Sequence, residues 1–171
     1  PRCAMAHWGI ATTLFQPLWP TRPRPAELQR GWDEIQRANA LSPPTERERL
    51  FIAATEAFFL EPASTDYWLR IRRWAEALEK LHTALPDDPE AAAFYALSLL
   101  ATIPANTLSR ELADRAAEIL IRVYEQNPDH PGAMHYLVHS NDVPGREREL
   151  LEITRKYEAA APNNPHALHM P

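Results

Sequence analysis

Four histidines and an aspartate near the end of the chain have the residue types and spacing of a metal site. His135, His139 and Asp142 follow one another at intervals of four and three residues. Residues so spaced share one face of a helix, and Gly132 falls on the same line. His166 and His169 stand 34 residues beyond Gly132 and His135. A helical His-x-x-x-His pair presents two neutral imidazoles on one side, and Asp142 suits either a third ligand or an acceptor behind a histidine. If the second pair of histidines meets the first, the set fits zinc, copper, nickel or iron.

The same residues allow two other readings. Imidazole titrates near neutral pH, so His135 or His139 can act as a general base oriented by Asp142 or Tyr136. No nucleophile accompanies it, because Ser140 adjoins His139 and consecutive helical residues point about 100° apart. Alternatively the imidazoles only exchange hydrogen bonds in a wet, polar groove. The zinc-protease helix is excluded, since it needs glutamate directly after its first histidine and Tyr136 stands there.

Prolines punctuate the helices that must position these residues. The chain has 17 prolines and only 4 glycines, a balance that suits helices opened and closed by proline and argues against a sheet with glycine turns. The pattern predicts a first helix over 2–15 and a proline-rich loop over 16–25. Helices are then predicted over 25–41, from Thr45 through Phe58 with Glu61-Pro62 closing it, from Asp66 to about Leu85, over 89–103, over 107–126, over 131–141 and over 144–160. Thr45 stands three residues before Glu48 as a capping box, and Asp66 or Thr65 can cap the fourth helix. Apolar stripes are expected at Leu28, Trp32, Ile35 and Asn39 of the second helix, and at Leu150, Leu151, Ile153 and Tyr157 of the eighth.

Length and composition bound the class. A chain of 171 residues with 45% hydrophobic and 24% charged residues reads as one domain with a core of its own over 1–171. No apolar run approaches the ~20 residues of a membrane helix. The net charge of -5 is spread without a basic stripe, which argues against nucleic acid as partner. Cys3 is the single cysteine, so no intrachain disulfide forms. Pro1 in place of an initiator methionine, and a stop at Pro171 within a helical pattern, predict a fragment of a longer protein. The localisation stays open, since a signal peptide can precede it. An exposed last repeat would favour self-association.

One phrase recurs: Pro86-Asp87-Asp88-Pro89, Pro128-Asp129-His130-Pro131 and Pro162-Asn163-Asn164-Pro165, at separations of 42 and 34 residues. Each interval holds a helix pair. A helix-turn-helix period of about 34 residues resembles that of tetratricopeptide repeats, as does the Trp8-Gly9 pair of the first helix. The segments His130-Pro131-Gly132-Ala133-Met134-His135-Tyr136-Leu137-Val138-His139 and Pro165-His166-Ala167-Leu168-His169-Met170-Pro171 are similar to those of a group of bacterial tetratricopeptide proteins without an assigned activity. The resemblance implies an all-α stack of antiparallel helix pairs, an α-solenoid of about eight to nine helices. It also implies that the first helix of each pair lines a concave groove, with neighbouring first helices about 8–10 Å apart.

On that basis the leading expectation is a helical-repeat scaffold. It would bind a peptide or protein segment in a groove lined by His135, Tyr136, His139, Asp142, His166 and His169. The alternative is a metal-binding protein or metalloenzyme whose ligands come from the same histidines and Asp142. Other residues carry weaker signals. His7 and Cys3 lie four apart and can bind metal, though a buried thiol beside Trp8 is the plainer reading. His82 reads as a surface charge at a helix end. Arg70-Ile71-Arg72-Arg73 reads as a solvated basic face. Of the five tryptophans, Trp19 is expected to pack down from its loop, and it is the one suited to touch a partner.

Overall fold

The computed structural model describes residues 2–104, 109–142 and 151–169, the side chain of His169 excepted. Among these residues the chain is all-helical, with nine helices and no strand. No helix of the described residues is long and apolar enough to cross a membrane. The predicted helix starts at Thr107 and Pro144, and the packing of Leu150, lie outside the described residues. The chain divides into two compact units, residues 1–86 and 87–171.

The first unit holds α1 (Ala4–Thr12), α2 (Pro25–Ala40), α3 (Glu46–Phe59) and α4 (Tyr67–Ala84). The caps are those the residue types dictate. The Thr45 hydroxyl accepts from Glu48 N–H at 3.1 Å while Glu48 takes the Thr45 N–H, and the Asp66 carboxylate accepts from the amides of Trp68 and Leu69. Each satisfies amides that the first helical turn leaves without a partner. α1 packs on α2 and α3, and α3 on α4, around interlocked rings. Phe15 stacks on Phe58 at 4.0 Å and meets Phe59 and Trp74 edge-on. Gly31 lets α2 approach this cluster, because a Cβ there would lie 2.1 Å from the Phe59 ring.

Three sequence expectations fail between Trp19 and Arg73. The buried face of α2 is Gly31, Glu34, Ile35 and Ala38, with Asn39 exposed; the stripe is rotated because the Phe59 ring needs a gap and the backbone of Gly31 provides it. Arg70 is not solvated but 1% exposed. Its guanidinium donates to the carbonyls of Phe58, Leu60, Glu61 and Thr65 at 2.8–3.1 Å, so it closes the carbonyl end of α3 and the turn in which Glu61 has φ 54°. Those carbonyls have no intrahelical donor, and a five-donor fork supplies several at once. Trp19 is 50% exposed rather than packed.

The second unit holds α5 (Pro89–Ala101), α6 (Arg110–Gln126), α7 (Pro131–Asn141), α8 (Leu151–Ala160) and α9 (Pro165–His169). α5 is buried over most of its surface, as its apolar residues on all sides require. It packs against α6 and α7; α7 packs against α6 and α8, and α8 against α9. Pro89, Pro131 and Pro165 each open a helix, where the missing N–H costs nothing. In α8 the buried residues are Thr154 and Tyr157, while Leu151, expected inside, is 41% exposed.

Candidate metal centre

α7 carries the first two histidines. Its N-cap is His130, whose Nδ1 accepts from the Ala133 amide at 3.3 Å. His135 and His139 follow on one face, one helical turn apart, as their spacing requires. Beneath that face Ala133, Met134 and Leu137 are buried, which fixes the rotation of α7 and turns both imidazoles the same way.

The third histidine arrives on α9. Asn164 caps this turn by accepting the His166 amide on its Oδ1 at 3.0 Å. Ala167, fully buried, sets into a cluster with Met134 of α7 and Tyr157 of α8. Seating that methyl brings His166 against His135. The two Nε2 atoms lie 2.9 Å apart, and His139 Nε2 lies 3.1 Å from His135 Nε2. The three side chains each offer one ligand atom within 4.8 Å of the others, and all three are half-buried. The His135 ring also stacks on Tyr157 at 5.2 Å and 10°, and lies 5.2 Å from the Tyr136 ring.

Of the residues singled out in the sequence, His135, His139 and His166 therefore converge. Asp142, exposed at the end of α7, acts on His139 through its charge. Tyr136 flanks His135. The His169 side chain lies outside the described residues. Tyr157 was expected only as core, and its role as the platform under His135 was missed. The available signal was an aromatic residue placed between the two histidine segments.

The surroundings of His135 and His139 favour the neutral imidazole. Burial first, then the proximity of His139 and His166, pushes the His135 pKa down from 6.5 to about 4. His139 is lowered by burial and by His166, against the opposing pull of the Asp142 carboxylate. Burial and the nearby Glu90 carboxylate push Tyr136 up to about 12, so its hydroxyl keeps its proton at neutral pH.

A neutral imidazole nitrogen has either one hydrogen or one lone pair. His135 Nε2 faces two other ring nitrogens, so only one of the two approaches can be a well-directed N–H···N hydrogen bond. A cation at the centre accepts all three lone pairs. Ligand nitrogens about 2.0–2.1 Å from zinc lie roughly 3.3 Å apart in a tetrahedron, a few tenths of an ångström wider than the two separations here. The two pairs with His135 reach that spacing after a small outward shift of the rings, and the ligand atoms of His139 and His166 lie within 4.8 Å of each other.

The other histidine-containing pair of the sequence does not assemble. Cys3 is exposed at the start of α1, so it is not the buried thiol expected. Nδ1 of the buried His7 is bound to Glu34 Oε2 at 2.6 Å. Comparison with models of protein families, with curated proteins and with solved structures found no match for this chain.

Proposed function

We propose that this chain is a tetratricopeptide-like helical-repeat protein that binds a divalent transition-metal ion through His135, His139 and His166. The observation that carries the reading is the convergence of three Nε2-bearing rings from α7 and α9, two of them with pKa values held below the ordinary histidine range. A neutral imidazole binds metal without first losing a proton, so burial of this cluster favours the ion. Three nitrogen ligands without a thiolate suit zinc, copper or nickel, and Asp142, His169 or water can complete the shell. The helical-repeat part of the reading is supported by the packing of α5 on both α6 and α7 and of α1 on both α2 and α3, and by prolines at matching helix starts.

The test is elemental analysis and calorimetric titration of the tag-free protein with zinc, copper and nickel salts, beside His135→Ala/His139→Ala. One ion per chain, lost in the double variant, supports the reading. Absence of metal from the purified protein together with no uptake on titration overturns it, and the face then reverts to the polar lining of a scaffold for a peptide or protein segment.

A further inference from the structure

We propose that the first unit holds a separate binding site for a small organic molecule with one carboxylate on an apolar body, and that Arg22 recognises the carboxylate. The site shares no residue with the histidine cluster and does not depend on it.

It lies where the proline-rich loop after α1 runs into α2. There the chain borders a cavity of about 330 Å³, within the roughly 300–1,000 Å³ that small-molecule sites occupy. Leu14, Phe15 and Pro23 give it an apolar wall, while Gln16, Arg22 and Arg24 bring polar groups. Arg22 is held in place before any ligand arrives. Its guanidinium lies 3.8 Å over the Tyr67 ring and 5.3 Å from that of Trp68, and Nη1 donates to the Trp19 carbonyl at 3.0 Å. Among the described residues no carboxylate pairs with it, so most of the donors of its planar fork remain for a ligand.

The charge of the lining selects the ligand. Arg24 Nη2 is paired with Glu27 Oε1 at 2.8 Å, and Glu27 also lines the cavity. These two charges cancel and leave the single positive charge of Arg22. One carboxylate balances it and matches the guanidinium fork with two parallel hydrogen bonds. A phosphate dianion would leave a negative charge unbalanced beside Glu27. Gln16 adds a donor: its Oε1 accepts from the Thr21 hydroxyl at 3.4 Å, which leaves its Nε2 to donate to the same carboxylate. The Thr13 hydroxyl, also in the lining, gives its hydrogen to the Ile10 carbonyl at 2.7 Å, so the anion is met by Arg22 and Gln16. Prolines 17, 20, 23 and 25 and the stacked guanidinium restrict the loop, so a ligand has little ordering left to impose.

Amide NMR of the tag-free full chain tests this, with titration at mildly alkaline pH by millimolar 3-phenylpropionate, 3-phenylpropan-1-ol and phenyl phosphate. The carboxylate is expected to shift the amides of Leu14, Thr21 and Arg22 and to leave those of α5 in place. The alcohol, which lacks the charge, and the phosphate, which doubles it, are each expected to bind more weakly than the carboxylate by about tenfold or more, the equivalent of one charge-assisted hydrogen bond. These arms use the parent chain and test the charge without any substitution. Arg22→Gln, at an exposed position, is expected to weaken carboxylate binding by a similar factor, and Arg110→Gln, at an exposed position of α6, to leave it unchanged. The site is overturned if 3-phenylpropionate leaves the three loop amides unmoved, or if Arg22→Gln binds it as well as the parent chain does. An alcohol or a phosphate that binds as tightly as the carboxylate overturns the assigned ligand class.

Discussion

His7 in α1 and His135 in α7 are both withdrawn from water on helices, yet they meet different partners. His7 faces a carboxylate, Glu34 of α2, at 2.6 Å, and Glu34 is in turn paired with Arg37. His135 faces two further imidazoles and the rings of Tyr157 and Tyr136. In the first unit each group has a partner of complementary character, so the pair ties α1 to α2. In the second, like meets like, and the ring nitrogens of three histidines are gathered in one place. On the metal-binding reading proposed above, one cation would take a lone pair from each of the three. On that reading the contrast separates a structural histidine from candidate ligands within one chain.

The largest effect that sharpens the contrast is on metal. His135→Ala is expected to lower zinc affinity by more than about 100-fold, because loss of a ligand exceeds the 10–100-fold typical of losing a residue behind one; His7→Ala is expected to leave it unchanged. Calorimetric titration of both variants checks this, and a matching loss in His7→Ala would break the distinction.

Stability should respond the other way. Glu34→Ala is expected to cost about 2–3 kcal/mol in denaturant unfolding followed by the fluorescence of Trp8 and Trp74, since it leaves His7 buried without its carboxylate. Its zinc titration should match that of the parent chain.

Acid separates the two regions by window. His135 has a folded pKa of about 4 against 6.5 when exposed. The unfolded chain thus binds more protons between these values, and the stability this histidine contributes is whole above pH 6.5 and lost as pH falls toward 4. The loss is about 2 kcal/mol once partial exposure is allowed for. Glu34 is lowered from 4.5, first by its hydrogen bond to His7, so its contribution persists to below pH 4.5 and disappears only in stronger acid. Unfolding free energies measured from pH 7 to 3, with His135→Ala removing the earlier loss, test this order.

The smallest effect concerns the platform. Tyr157→Leu keeps an apolar side chain against Met134 and Ala167 but removes the ring stacked on His135. It is expected to lower zinc affinity by up to about tenfold, in line with the 0.5–1.5 kcal/mol of an aromatic pair. An unchanged affinity would mean that α7 alone orients the imidazole.

Much of the helical order was legible because its signals are local. Thr45 with Glu48, Asp66, and the prolines at 89, 131 and 165 act within one turn of where they stand. The shared face of His135 and His139 follows from helical geometry, and the 34-residue spacing brought His166 and His169 into the candidate set. The buried roles of Arg70 and Glu34 were not legible in the same way. A charged side chain goes inside only where the carbonyls or ions to receive it are gathered by other elements, and the four carbonyls around Arg70 belong to residues five to twelve positions upstream.

The amino-acid sequence by itself determined an all-helical chain, most of the described helix starts, and the shared face of His135 and His139, since caps, proline and the 3.6-residue period are properties of neighbouring residues. The tertiary structure decided which face of α2 is buried, that His7 serves Glu34 rather than Cys3, and that His166 closes on His135 over the Tyr157 ring. Those outcomes depend on which side chain from a distant element fills a given space, and local spacing carries no record of that.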